Sequence, residues 1–200
     1  MLYTLESLHT YEEEIKKSRF IALAGPADSP EQALDFIASH SVASATHNCW
    51  AYRMGDTYRF NDAGEPGGTA GRPMLQAIDG QQCDRVVVLV VRWFGGVKLG
   101  AGGLMRAYGG VAAQCLRLAP KKPIVQRTML ACHCPFTDMA LVQSKFATFD
   151  VGVVDEAFDA EGVAWRLALP SDQAEAFSRL FIDLTRGKGH VRIENQSCGH

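Results

Sequence analysis

The chain has 200 residues, of which 47% are hydrophobic and 21% charged, an ordinary composition for a globular protein of one large or two small domains. Its formal net charge of −2 excludes a polybasic protein that attracts nucleic acid in bulk, so any basic surface must be local. The amino terminus has no apolar segment behind a basic start, and the six cysteines follow no regular framework. We therefore expect a cytoplasmic protein with reduced cysteines that does not associate with membranes.

The first half of the chain predicts short strands and one well-marked helix start. The strands are predicted over 11–15, 18–24, 47–54 and 57–61, the first two joined by a turn at Lys16 and Lys17. Ser29, Pro30 and Gln32 have the N-cap, first-turn proline and capping-box spacing of a helix start. The segment 61–73 has four glycines and two prolines, which predicts a loop that is either disordered or shaped for contact. A short helix over 74–78 follows.

The segment from Arg85 to Leu118 is the most distinctive part of the chain. Every residue from Val86 to Val91 is apolar and most are β-branched, which predicts a central strand covered by protein on both faces. Farther along, apolar residues recur at helical spacing. They predict a helix with a buried stripe formed by Leu104, Ala107, Tyr108, Val111, Ala112, Cys115 and Leu116.

The prolines at 120 and 123 predict a linker, which divides the chain into domains at 1–120 and 121–200. The second domain has the predicted order βαββαβ, with strands over 128–134, 151–158, 163–169 and 188–194. Thr137 is predicted to cap a helix that reaches about residue 149, and Ser171 to cap the second helix. This order is that of the ferredoxin-like split βαβ arrangement, so the fold class is α+β with two domains.

A glycine-rich turn between the central strand and the helix is the first candidate site. Glycine admits a ligand close to the backbone, and the start of a helix attracts anions. The turn matches neither a Walker A loop nor the dinucleotide fingerprint. The alternative is that its glycines only allow tight packing between strand and helix. The candidate anion-binding residues here are Arg92, Gly96, Lys98, Gly100, Gly102, Gly103 and Arg106.

The loop over 61–73 supplies the second set of candidates, Glu65, Gly68, Thr69 and Arg72. A lone carboxylate without a partner acid is weak support for a general base. Glu65 is more often found paired with an arginine or with backbone N–H groups. We therefore favour a binding loop over a catalytic one, and we assign no catalytic residue.

Three other motifs favour ordinary structural interpretations. His47 and Cys49 share one face of a predicted strand, but spacing alone does not show a nucleophilic pair. The run Cys132–Cys134 lacks the second ligand pair that a zinc site needs, so we expect no metal and no cofactor. Trp93 and Phe94 either stack on nucleic-acid bases or fill the core.

Four motifs together resemble the IMPACT family, including its bacterial YigZ-type members. They are Ser18–Ile21, Asp62–Pro66, Gly68–Pro73 and Arg92–Gly100. The resemblance implies a first domain with the fold of ribosomal protein S5 domain 2 and a ferredoxin-like second domain similar to those of elongation factor G. Both of those proteins work on RNA or the ribosome, and eukaryotic members of the family regulate translation.

Three functions follow as hypotheses. The leading one is a non-catalytic protein that binds RNA or the ribosome, with Arg72, Arg92, Lys98 and Arg106 contacting phosphates and a role in regulating translation. This rests on the fold resemblance and on a local excess of basic residues between 72 and 106, five against two acidic ones. The alternatives are an enzyme that binds a small molecule or a nucleotide phosphate in the glycine turn, and an adaptor with a protein partner.

Overall fold

The computed structural model describes residues 1–194 and contains two compact units, divided between Ile124 and Val125. The sequence predicted the division after Pro120. The difference arises because part of the predicted linker is a strand, β7 (Lys121–Pro123), that pairs antiparallel with β1 (Tyr3–Leu5). Proline is tolerated there because a two-stranded ribbon leaves its outer edge unpaired.

The first unit is built on a five-stranded antiparallel sheet with the spatial order β2-β3-β6-β4-β5. The strands are β2 (His9–Ile15), β3 (Ser18–Pro26), β4 (His47–Met54), β5 (Thr57–Asn61) and β6 (Val86–Trp93). The predicted apolar strand is therefore the central one.

Helices cover both faces of this sheet, as the apolar run predicted. They are α1 (Pro30–His40), α2 (Gly71–Gly80) and α3 (Ala101–Leu118). Val86, Val88 and Val90 belong to the same core as the buried stripe of α3, and the alternate residues of β6 belong to the core that includes α1. Every residue predicted for the α3 stripe is buried.

Helix α1 starts where the sequence predicted, whereas α2 and α3 start earlier. At α1, Ser29 Oγ accepts a hydrogen bond from the Gln32 N–H at 3.3 Å, which confirms the N-cap. Helix α2 begins at Gly71, because Asp62 accepts the N–H groups at its start. Helix α3 begins at Ala101, so two of the glycines read as turn residues lie in its first turn.

The second unit has the predicted βαββαβ order. Its elements are β8 (Arg127–Pro135), α4 (Phe136–Gln143), β9 (Gly152–Phe158), β10 (Gly162–Pro170), α5 (Ala174–Leu184) and β11 (His190–Glu194). The strands lie in the order β11-β8-β10-β9, and every adjacent pair is antiparallel. This is the ferredoxin-like arrangement, and it completes a two-domain α+β fold.

The predicted caps in this unit are wrong. Helix α4 starts at Phe136, directly after Pro135, and ends at Gln143, well before residue 149. Ser171 lies in a short 3₁₀ turn before α5, where its hydroxyl donates to the Gln126 carbonyl at 3.0 Å instead of capping the helix. Turn residues connect α4 to β9, which helical periodicity by itself does not reveal.

A membrane-spanning helix is absent from residues 1–194, since none of the helices there has the length and apolar character required.

Candidate anion-binding surface and the buried polar cluster beneath it

Glu65 is the centre of a buried polar cluster in the first unit. One oxygen, Oε1, accepts hydrogen bonds from the Arg92 guanidinium and from the Tyr108 hydroxyl, the latter at 2.7 Å. His47 Nε2 lies 3.7 Å from the same oxygen, and Arg92 Nη2 donates to Ser18 Oγ at 3.2 Å. The cluster therefore ties the loop over 61–73 to β6, α3, β4 and β3.

Strand geometry explains why these side chains meet. Alternation along β6 places Arg92 on the same face as Val90, towards α3. His47 is the cross-strand partner of Arg92 in the pairing of β4 with β6, so it faces the same side. Tyr108 belongs to the buried stripe of α3, which packs on that face.

Arg92 is a structural cation in this setting. Only 5% of its side chain and 4% of that of Glu65 are exposed. The Arg92 Cζ atom lies 5.4 Å from the centroid of the Phe20 ring and 5.7 Å from that of Phe94. A buried charge requires such compensation, and each group of the pair neutralises the other. Both side chains are thus engaged inside the protein, and we revise their assignment as ligand contacts.

The Tyr108 hydroxyl donates a hydrogen bond to Glu65 and stays protonated. Burial, together with Cys49 and Glu65 beside the hydroxyl, raises the pKa of Tyr108 far above its ordinary value. A neutral phenol donates a hydrogen bond to a carboxylate, whereas a phenolate would repel it. The hydroxyl therefore serves to hold Glu65 in place.

The loop over 61–73 is ordered by Asp62. Its Oδ2 accepts from the Gly68 N–H at 2.7 Å, and its Oδ1 accepts from the N–H groups of Ala70 and Gly71 at 2.9 and 2.8 Å. Burial of Asp62 opposes ionisation, but these three donors outweigh it and lower the pKa of the carboxyl. The Thr69 hydroxyl donates to the Pro66 carbonyl at 2.6 Å. Gly68 and Thr69 are thus part of a fixed loop, which decides against disorder.

The His47 and Cys49 side chains have structural partners. The Cys49 thiol donates to the Asp62 carbonyl at 3.0 Å, and burial raises the pKa of Cys49 to about 12. His47 Nδ1 lies 2.9 Å from the carbonyl oxygen of Ala63, a contact that requires the proton on Nδ1. A thiol this weakly acidic is a poor nucleophile at neutral pH.

The cysteines of β8 cannot share a metal ion with the histidine between them. Cys132 and Cys134 are buried in the core of the second unit. His133 points to the opposite face by strand alternation, where its Nε2 lies 2.9 Å from Asp159 Oδ2.

The glycine turn follows β6 and lies against the turn between β2 and β3. A Cβ at Gly95 would overlap the carbonyl oxygen of Lys17, so this close approach requires glycine. The Gly95 N–H also donates to Ser18 Oγ at 3.3 Å. In contrast, Gly96 and Gly100 have open space around them and positive φ angles of 87° and 74°. Tight packing therefore explains why residue 95 is glycine. The positive φ angles of an exposed turn explain the glycines at 96 and 100.

The amino end of α3 leaves backbone donors available. Within the described residues, its N-cap Gly100 has no side chain to accept them and its first turn carries no acid. Helix N–H groups and the helix dipole then favour an anion at this end. Gly102 and Gly103 in this turn are only partly buried, which leaves their backbone near the surface.

Four exposed cations surround this helix end: Lys16, Lys17, Lys98 and Arg106. Lys16 and Arg106 both line one cleft of about 190 Å³, together with Ile15, Leu99, Gly103 and Ala107. Lys17 is adjacent to Gly95, and Lys98 lies within the glycine turn. We call these four residues the basic turn surface.

Sequence reasoning missed Lys16 and Lys17 as site residues. It identified their turn, but their distance in sequence from the glycine turn hid the contact between the two. The available signal was a pair of lysines at hairpin positions that usually hold Asn and Gly.

The predicted site residues thus fall into four groups. Gly96, Lys98, Gly100, Gly102, Gly103 and Arg106 lie together at or near the amino end of α3. Glu65 and Arg92 form the buried pair, and Gly68 and Thr69 belong to the loop that Asp62 holds. Arg72 is exposed in the first turn of α2.

Comparison with known proteins agrees with these motifs. Residues 16–116 match the Impact N-terminal domain, and residues 132–188 match a domain of unknown function, DUF1949. The chain is 50% identical to an IMPACT family member of Thermus thermophilus over 175 residues, which cover 87% of this chain and 97% of that protein. It is 36% identical to the IMPACT family member YigZ of Escherichia coli over 188 residues, covering 89% and 90% of the two chains.

A crystal structure titled as that of a hypothetical protein also matches, with a TM-score of 0.74, 32% sequence identity and 98% coverage of both chains. The family models account for most of both units, and the relatives match along nearly their whole length. This chain is therefore a member of the IMPACT family.

Proposed function

We propose that the protein is a non-catalytic RNA-binding protein whose basic turn surface contacts phosphates, with the ribosome as its partner and translation as the process it regulates. The observation that carries this proposal is the convergence of four exposed cations on a helix end with free N–H groups. Phosphate contacts from lysine, arginine and helix N-termini supply most of the affinity in protein–nucleic acid complexes.

The charges of this surface are available to a ligand. Within residues 1–194, none of its four side chains forms an ion pair with an acid. Arg19 and Arg53 of the same unit are instead paired with Glu12 and Asp79. A phosphate that met the basic turn surface would therefore not compete with an internal carboxylate.

The conformation of the lysine turn also supports a role for its charge. Lys16 and Lys17 have φ angles of 48° and 67°, as the type I′ turn of a two-residue hairpin requires. Left-handed conformations cost roughly 1–2 kcal/mol per residue for most side chains and almost nothing for glycine. Strained residues cluster at functional sites, so two lysines in this turn favour a function for their charges.

The size of the cleft favours a polymer backbone over an enclosed nucleotide. Its volume is about 190 Å³, whereas small-molecule sites usually measure roughly 300–1,000 Å³. A phosphate group needs only the mouth of such a cleft. The charged side chains of the buried cluster, Glu65 and Arg92, are paired with each other and almost fully buried, so neither is available at this surface.

The proposal is tested by the salt dependence of affinity for an unstructured RNA oligonucleotide. Lys98→Ala, Arg106→Ala and Lys16→Asn should each weaken binding and lower the slope of log K against log salt by about 0.7, since each removes one phosphate contact. Asparagine is chosen at position 16 because it tolerates the left-handed conformation.

Lys122→Ala is the matched control. It removes an exposed lysine of the same unit from β7, beyond the carboxyl end of α3, a helix about 27 Å long. Binding that is unaffected by all three substitutions, or reduced equally by the control, would contradict the proposal. A partner retained after nuclease treatment would favour the adaptor hypothesis instead.

A further inference from the structure

Phe94 is an exposed aromatic side chain at the edge of the basic turn surface. It follows Trp93 at the end of β6 and leads into the glycine turn, and 46% of it is exposed. The neighbouring apolar side chains Val97 and Met105 are 39% and 44% exposed. An aromatic ring among free cations is the usual composition of a single-stranded nucleic acid site.

Contacts with neighbouring residues hold the Phe94 ring in place. The Arg92 guanidinium lies over it at 5.7 Å, and the Phe94 N–H donates to Thr46 Oγ1 at 3.0 Å. The next residue, Gly95, is fixed by Ser18 and by its approach to Lys17. Because Arg92 is itself immobilised by Glu65, the ring is pre-organised and loses little conformational freedom when a ligand stacks on it.

Trp93, the aromatic residue next to Phe94, has different surroundings. Its side chain points to the opposite face of the sheet, where it is partly buried and the Arg19 guanidinium lies 5.1 Å from its ring. Phe94, on the α3 side, keeps nearly half of its surface exposed. The two aromatic residues considered together in the sequence therefore have different surroundings, and only Phe94 adjoins the basic turn surface.

We infer that Phe94 stacks on an unpaired base, so that the basic turn surface selects single-stranded RNA over duplex RNA; this inference rests on the proposed function. In an A-form duplex the base faces are stacked on one another and side chains cannot reach them. A single strand presents its phosphates to Lys98 and Arg106 and a free base to the Phe94 ring. Both strand types meet the same cations, and only the single strand gains the stacking contact.

The test compares affinities for an oligouridine and for a blunt RNA duplex of equal length. Phe94→Leu keeps an apolar cover over Arg92 but removes the aromatic face. It should weaken oligouridine binding by between about fivefold and about 140-fold, the range that corresponds to one stacked base, and leave duplex binding unchanged. Phe94→Trp should retain the preference. Val97→Ala, which removes exposed apolar surface without an aromatic ring, is the matched control.

A second measurement reports stacking directly. A 2-aminopurine placed in the oligonucleotide should be quenched on binding to the wild type and to the Phe94→Trp variant, and not on binding to Phe94→Leu. If oligouridine and duplex bind equally and Phe94→Leu changes neither, the inference fails while RNA binding stands. If neither RNA binds the wild type, the proposed function fails as well. A Phe94→Leu variant that melts earlier and loses both affinities together would show that the ring only covers Arg92.

Discussion

Glu65→Gln should destabilise the first unit strongly, and more than Tyr108→Phe, a second change in the same buried polar cluster. The substitution keeps the size of the side chain and removes the charge that compensates Arg92, whose side chain is 5% exposed. At that burial, solvent screens the pair very little. Breaking a buried ion pair by removing one partner costs about 3–5 kcal/mol, because the remaining charge is left uncompensated.

Tyr108→Phe is the graded comparison. It removes one hydrogen bond to the same carboxylate oxygen, at 2.7 Å, and leaves the ion pair intact. Loss of a hydrogen bond to a charged group costs about 1.5–3 kcal/mol. The structure therefore predicts that Glu65→Gln is the more damaging of the two.

Hydrogen exchange followed by mass spectrometry separates the two units in one experiment. Peptides from β6 report the first unit, and peptides from β10 serve as an internal control for the second. The slowest-exchanging amides of β6 should exchange between about 140-fold and about 4,000-fold faster in Glu65→Gln than in the wild type. This range corresponds to a loss of about 3–5 kcal/mol in the free energy of unfolding. An effect smaller than that of Tyr108→Phe would refute the view that Arg92 depends on Glu65 for compensation.

Two further predictions concern the backbone and pH. Gly95→Ala should destabilise the first unit by about 1–3 kcal/mol, since its Cβ would overlap the Lys17 carbonyl, whereas Gly110→Ala, with open space in helix α3, should stabilise it by about 0.5–1 kcal/mol; thermal unfolding of both variants checks this contrast. The pKa of Asp62 is lower in the folded than in the unfolded chain, so its contribution to stability is present above the unfolded value of about 3.9 and is lost as the pH falls further. Urea unfolding between pH 6 and pH 3 should therefore show a smaller acid-dependent loss in Asp62→Asn than in the wild type, and equal losses would contradict the role of the three N–H donors.

Local patterns were sufficient for the main elements of both units. The strand at Val86–Val91, the stripe of α3 and the βαββαβ order are all confirmed by the structure. Helix and strand periods report which side chains share a face, and that relation is set by backbone geometry within a few residues. Where the caps were wrong, at Thr137 and Ser171, competing contacts decided the outcome: the Phe136 N–H reaches the Glu161 carbonyl, and the Ser171 hydroxyl donates to Gln126.

The glycine turn was ambiguous in the sequence because both interpretations require the same residue type. Neither composition nor spacing distinguishes Gly95, which touches the Lys17 carbonyl, from Gly96, which has open space around it. That distinction depends on where the turn between β2 and β3 lies.

The sequence by itself determined the main elements of this protein, the fold class of its two domains and the family motifs. Only the tertiary structure decided that Arg92 is neutralised by Glu65, 27 residues away, and that Lys16 and Arg106 share a cleft. The physical reason is range: periodicity is a property of neighbouring residues, whereas the pairing of distant charges depends on the register between β3, β6 and β4. That register determines which cations are neutralised inside the protein and which remain free for a ligand.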